Sequence, residues 1–371
     1  MSEPERHPFA GPISRRELLR AAALGSPGLI GAYLLACRSG SSKQDARATS
    51  TPVGNATLVS QTMRWERLLP AEGAAAPPAR FDHSLVSDGG RLYLFGGRTP
   101  ASLADFWVYG IASNTWTDLT DFGPQPRFGH NAVWDSGRNV LVLFGGQDGA
   151  TFFDDVWEYD PARTLWTQVT FAGGVPAARY GAGAAFDQAG HLLMTHGFTT
   201  QGRFDDTWEY DVAAHAWNQV SPATGRPVRR CLMRAVWDSL KQRVLIFGGQ
   251  TDGTPFLDDF WSWSPLTEWQ QLAREPHPPQ RALYAMVFHD DAAQVILFGG
   301  NTDQGPVDDL WAFHSSGENW TRIPTSGGDA PQPRYSHDAA IASQEPTIFM
   351  FGGNDGAGPL RDLWRLAPAP A

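Results

Sequence analysis

Lysine is nearly missing from this chain, which places it only at Lys43 and Lys241. Cysteine is as scarce, at Cys37 and Cys231, too few for a disulfide scaffold or a cysteine-rich zinc module. The familiar catalytic signatures are absent too: there is no H-E-x-x-H, no G-x-S-x-G, no phosphate-binding glycine loop and no C-x-x-C. That removes the simple zinc, serine, nucleotide and dithiol chemistries, though a site assembled from distant segments leaves no local motif. Positive charge is short as well. The net charge is −10, and −13 beyond residue 61, which argues against nucleic acid and against an anionic membrane surface as partners.

What the chain has instead is repetition. An apolar run ending in Phe-Gly-Gly falls at Phe95, Phe144, Phe247, Phe298 and Phe351, and a degenerate copy, His196-Gly197-Phe198, fills the gap. Taken from these anchors, with His196 for the third, the spacings are 49, 52, 51, 51 and 53 residues. A period near 50 with four strand-sized segments predicts the blades of a β-propeller. Each unit opens on an arginine: Arg80, Arg127, Arg179, Arg230, Arg281 or Arg334. Its third segment carries Trp107, Trp157, Trp208, Trp261, Trp311 or Trp364, and its fourth Trp116, Trp166, Trp217, Trp269 or Trp320.

The sixth unit breaks off soon after Trp364. Its missing fourth strand matches Thr62–Leu68 around Trp65, at the other end of the repeat array. The ring is therefore expected to close with the N-terminal strand completing the last blade, which removes the exposed edges an open array would leave. With Trp65 the repeat tryptophans are twelve of the fifteen, and sixfold repetition points to packing between blades.

The Phe-Gly-Gly, Trp-x-Tyr and second-Trp pattern resembles kelch repeats over residues 62–368. The resemblance implies an all-β, six-bladed kelch β-propeller in residues 62–371. Kelch propellers include protein-binding modules, galactose-oxidase-like copper enzymes and exported sugar epimerases of the sialic acid type. No catalytic residue of either enzyme class maps onto this sequence residue by residue; Cys231 and Tyr284 lie in adjacent blades without a matching motif.

The first 61 residues read differently. Ser14-Arg15-Arg16-Glu17-Leu18-Leu19 resembles a twin-arginine export signal, followed by a mildly apolar stretch, Ala21–Ala36, too short for an ordinary membrane span. Leu34-Leu35-Ala36-Cys37 resembles a bacterial lipobox, which implies residues 1–36 as signal peptide and a lipidated Cys37. An uncleaved anchor with an ordinary cysteine is the alternative. Residues 37–61, rich in Ser, Thr, Ala and Gly, read as a tether with a reach of roughly 25 to 30 Å if flexible.

Candidate chemistry sorts into repeated and unrepeated residues. The arginine that opens each unit and the aspartate before its strand-three tryptophan (Asp105, Asp155, Asp206, Asp259, Asp309, Asp362) form either a structural pair in every blade or a ring of binding groups. Pairing is favoured because a ligand is not sixfold symmetric. The Asp-rich turns read as turn chemistry before calcium. His83, His130 and His337 recur three places after the arginine in three consecutive blades, as strand histidines or a weak transition-metal arc. The two longer loop classes, between strands two and three and between blades, emerge on one face, where binding groups usually sit. Departures from the repeat there are the ligand-binding candidates: Arg98, His196, Phe198, Arg203, Arg229 and Arg361.

These features lead to one expectation: a lipid-anchored, extracytoplasmic recognition module for a protein or glycan, with no cofactor, no nucleic acid, and the membrane touched only through the anchor. The alternative is a carbohydrate-modifying enzyme, an epimerase or mutarotase, or less readily a galactose-oxidase-like copper oxidase.

Overall fold

A computed structural model describes residues 62–369 except 172, 188, 273–274, 327–328 and 343–346. The described residues form six sheets of the propeller kind and three two-stranded hairpins in the loops. Blade 1 shows the plan: Ser84–Ser87, Arg91–Phe95, Phe106–Gly110 and Thr115–Asp118 pair in sequence order, from the axis outward. The inner strands of the other blades are Asn131–Asp135, Gly183–Phe186, Ala235–Asp238, Ala285–His289 and Asp338–Ala342. Each approaches the inner strand of the next blade, and Asp338–Ala342 approaches Ser84–Ser87, so the ring closes on itself.

Closure runs through the first strand. Met63–Leu68 pairs antiparallel with Leu363–Pro368, with Trp65 opposite Leu366, and lies parallel to Thr325–Ser326 on its other side. The strand that would be an open edge thus has a neighbour on both sides, as the sequence leads one to expect.

The core lies between blades. In four of the interfaces the strand-two phenylalanine of one blade meets the strand-four tryptophan of the next: Phe95 with Trp166, Phe144 with Trp217, Phe247 with Trp320 and Phe351 with Trp116. Ring centroids in these four pairs lie 5.2 to 5.7 Å apart. Offset and edge-on aromatic contacts of this kind add about 0.5 to 1.5 kcal/mol beyond the area they bury. The twelve repeat tryptophans are therefore spent on packing and on the clasps described below.

Blade 3 departs from the plan, and the register differs from the sequence reading. Thr195, not His196, holds the phenylalanine position: Thr195 pairs with Thr207 as Phe144 pairs with Val156. His196 occupies the first-glycine position, with φ of 61°. The Phe-to-Trp contact is replaced there. The indole of Trp269 donates to Thr207 Oγ1 at 3.0 Å, and the His196 ring stands edge-on to it at 6.0 Å. An apolar phenylalanine has been exchanged for a polar pair that satisfies the indole N–H.

Candidate functional site at the axis and the loop face

Every blade carries one guanidinium clasp. In blade 4, Arg230 Nη1 and Nη2 donate to the two Asp259 oxygens at 2.5 and 2.7 Å, Nη1 also donates to Gly248 O at 2.9 Å, and Nε to Val228 O at 3.1 Å. The Trp261 indole donates to Asp259 Oδ2 at 2.7 Å. The same bidentate pairs join Arg80 to Asp105, Arg127 to Asp155, Arg179 to Asp206, Arg281 to Asp309 and Arg334 to Asp362. The six arginines are among the largest fully buried side chains. Burial works to raise the carboxyls of Asp206, Asp259, Asp309 and Asp362, but the guanidinium and indole hydrogen bonds override it and leave them below the ordinary range. The repeated charges bind the protein to itself.

Two residues after each of these arginines the backbone does something the sequence reading missed. Asp82, Gly129, Gly181, Leu232, Leu283 and Ser336 all have φ between 54 and 64°. The amide of Asp82 donates to Ser336 O, Ser336 to Leu283, Leu283 to Leu232, Leu232 to Gly181, Gly181 to Gly129 and Gly129 to Asp82. Six hydrogen bonds of 2.7 to 2.9 Å close a circle around the axis. Left-handed backbone is strained for Leu232 and Leu283, and the circle holds it in place. At Gly129 nothing else fits, since a Cβ would lie 2.0 Å from the Tyr180 ring. The constant offset from the arginine, with Gly, Asp or Ser at four of six positions, was the available signal.

The circle frames an axial cavity of about 430 Å³, open solvent included. Its walls include His83, His130, His337, Met233 and Tyr284, together with Asn131, Tyr180 and Arg234. The three imidazoles stand edge-on to the phenylalanine of the preceding blade: His83 to Phe351, His130 to Phe95 and His337 to Phe298. Burial first, and the neighbouring clasp arginine second, hold all three well below the ordinary imidazole pKa, so they are neutral. Among the described residues no three His, Cys, Asp or Glu side chains are grouped to hold a metal ion. Cys231 is buried and its thiol is pushed up by burial, and the Tyr284 hydroxyl donates to Phe247 O.

The comparison with known proteins adds the name for this architecture: the KLHDC2/KLHL20/DRC7 Kelch-repeats domain matches residues 39–237 and 222–370. The chain belongs to the kelch-repeat family. Kelch domain-containing protein 10 of Homo sapiens is 26% identical over 330 residues, covering 80% of this chain and 72% of its own length. The leucine-zipper-like transcriptional regulator 1 homolog of Drosophila melanogaster is 26% identical over 320 residues, or 80% of this chain and 32% of the fly protein. Mei4-dependent protein 6 of Schizosaccharomyces pombe is 24% identical over 317 residues, 74% of this chain and 45% of the yeast protein. The chain thus spans a third to a half of the fly and yeast proteins and nearly three quarters of the human one.

On this kelch propeller the six unrepeated candidates fall into three groups. Arg98 is a rim bolt: it pairs with Asp82 at 2.8 Å and lies over the rings of Phe81 and Phe128, at 4.6 and 4.3 Å, so it ties blade 1 to blade 2. Arg203 pairs with Asp252 of the next blade and stacks over Phe198, which itself meets Phe152 of the preceding blade edge-on. His196 is buried, its Nδ1 sharing a hydrogen bond of 2.6 Å with Thr195 Oγ1, and burial holds it down at about 3. Arg229 and Arg361 stand apart as exposed cations. Arg229 reaches Asp205 only at 3.7 Å, and Arg361 makes no ion pair among the described residues. Both sit in the longer loops, as do the exposed apolar side chains Phe122 and Val228. The lipidation and export candidates Cys37, Arg15 and Arg16 lie outside the described residues.

Proposed function

We propose that this kelch propeller is an exported, lipid-anchored recognition module that binds a protein or glycan on the face carrying its longer loops. The observation that carries the reading is the contrast between the repeated and unrepeated charges. The six clasp pairs are turned inward and satisfied, whereas Arg229 and Arg361 are exposed in the longer loops, as are Phe122 and Val228. Exposed arginine and aromatic side chains on a rigid scaffold are the usual anchors of protein and glycan binding. Membership of a family whose propellers mediate protein interactions supports the same reading.

The anchor and the face are tested separately. Cys37→Ser should release the protein into the soluble fraction, and Arg15→Lys with Arg16→Lys should stop export; a Cys37→Ser protein that still partitions with membranes contradicts the anchor. Arg229→Ala with Arg361→Ala should abolish capture from a panel of glycans and envelope proteins while the melting transition stays where it was. Capture unaffected by that pair, but lost on changing Leu165 and Leu240 in the short hairpins of the other face, contradicts the assignment of the face.

A further inference from the structure

The chain enters the propeller at a definite end of a strand. Met63 stands opposite Pro368 and Leu68 opposite Leu363, and the Ala369 amide donates to Thr62 O at 2.8 Å. In the other blades a short hairpin closes that end of strands three and four, as where Gly110 pairs with Thr115 and Asp160 with Leu165. Thr62 and Met63 therefore stand at the short-hairpin end of blade 6. Cys37 precedes Thr62 by 25 residues, a flexible length that reaches roughly 25 to 30 Å. A five-residue strand such as Arg91–Phe95 is about 17 Å long. A tether that ran back along such a strand to the level of the longer loops would use up more than half of its reach.

Charge leans the same way. In the longer loops Asp121, Asp148, Asp154, Asp258, Asp303 and Asp308 are exposed and make no ion pair among the described residues. In the short hairpins, Asp88 is held by Arg91 at 2.8 Å, Asp135 by Arg138 at 2.6 Å, Asp238 by Arg243 at 2.9 Å and Glu318 by Lys241 at 2.7 Å. Asp160 and Asp211 cap their own turns there, and Asp290 and Asp291 stand without a cation. Against these, Arg64 and Arg163 are exposed cations with no ion pair among the described residues. An anionic lipid surface repels free carboxylates brought within a Debye length, about 8 Å at physiological salt, and attracts free guanidinium groups. Arg64 is on blade 6, Arg163 and exposed Leu165 on blade 2, and exposed Leu240 on blade 4. Three alternate blades thus each offer this end of the ring a cation or a leucine.

We infer that the short-hairpin face lies against the lipid surface, with Arg64 and Arg163 toward the headgroup phosphates and Leu165 and Leu240 in the headgroup layer, while the longer loops look away from it. The inference rests on the reading of the protein as lipid-anchored, and adds a face of the propeller to the contact the anchor makes. It also turns the recognition face outward, where a partner can reach it.

The test places a fluorophore on either end of one blade of the full, lipidated chain, through Ala162→Cys in a short hairpin or Ala150→Cys in a longer loop, both exposed positions of blade 2. Quenching by aqueous acrylamide is measured in vesicles of phosphatidylethanolamine and phosphatidylglycerol, and in the same chains carrying Cys37→Ser, free in solution. The label at position 162 should lose quenching on the vesicles, and the label at position 150 should keep it. Arg64→Glu with Arg163→Glu should restore part of the quenching at 162. Equal quenching at the two positions, or a loss at 150 instead, in protein that floats with the vesicles overturns the orientation alone and leaves the anchor standing. Protection at 162 that is unchanged by the two glutamates overturns the contact assigned to the arginines. A chain that does not float with the vesicles overturns the anchored reading, and this inference with it.

Discussion

Trp65 meets the ring of Phe298 edge-on, with centroids 4.9 Å apart and planes at 61°. It is the same contact that Trp320 makes with Phe247 across the neighbouring interface, yet here the two residues are joined only by closure of the whole ring. Trp65 and Trp320 are 3% and 1% exposed, so their removal opens equivalent cavities. Trp65→Ala and Trp320→Ala are each expected to cost about 3 to 5 kcal/mol in urea unfolding. A Trp65→Ala cost below about 1 kcal/mol would mean that the first strand does not close the blade.

The clasps give a second expectation. Asp259→Ala leaves the buried Arg230 charge without its partner, and should cost about 3 to 5 kcal/mol. The double change Asp259→Ala with Arg230→Met removes the stranded charge and should cost less than Asp259→Ala alone. Additive costs in the double-mutant cycle would show that the pair does not act as a unit.

Blade 3 can be returned to the common plan. His196→Gly alone removes the ring that stands against Trp269 and should lower the melting temperature. Thr195→Phe alone adds bulk beside that same ring. The double variant recreates the Phe-Gly-Gly pairing of the other blades and should be more stable than either single change. A double variant less stable than both would contradict the register in which Thr195 holds the phenylalanine position.

Stability should fall with acid earlier than carboxylates alone would dictate. Burial lowers the pKa of His83, His130 and His337 in the folded state, so between those values and the ordinary value of about 6.5 the unfolded chain binds more protons. Their stabilisation is full above about 6.5 and lost as the pH falls below it, at up to about 1.4 kcal/mol per pH unit for each histidine. The depressed clasp carboxyls act lower, their contribution being present above about 3.9 and lost below it. Unfolding free energies should therefore already decline between pH 6.5 and 5, and His83→Phe should flatten that slope. A flat profile over that range in the parent protein contradicts neutral buried histidines.

The ring and its closure were legible because each rests on a residue type repeated at a constant offset. Arginine, phenylalanine-glycine-glycine and tryptophan each carry a packing or pairing demand that the sequence displays openly. The circle of amides was not legible, since backbone hydrogen bonds are indifferent to side chain and Leu232 and Leu283 give no hint of left-handed geometry. The register of blade 3 was misread for a related reason: without phenylalanine, His196 was the only conspicuous residue to align. The cavity is harder still. Tyr180, Asn131 and Arg234 come from different blades, and only the closed ring brings them to one place.

The central claim, that recognition takes place on the longer-loop face, is tested most directly by blocking one face at a time. Arg361→Cys and Leu240→Cys place single reactive thiols on the longer-loop and short-hairpin faces, in a chain carrying Cys37→Ser and a buried Cys231. Each is coupled to a bulky maleimide, and binding to an array of glycans and envelope proteins is measured before and after coupling. Loss of binding on modification at position 361, with binding retained on modification at position 240, is the expected result; the reverse pattern would contradict the account.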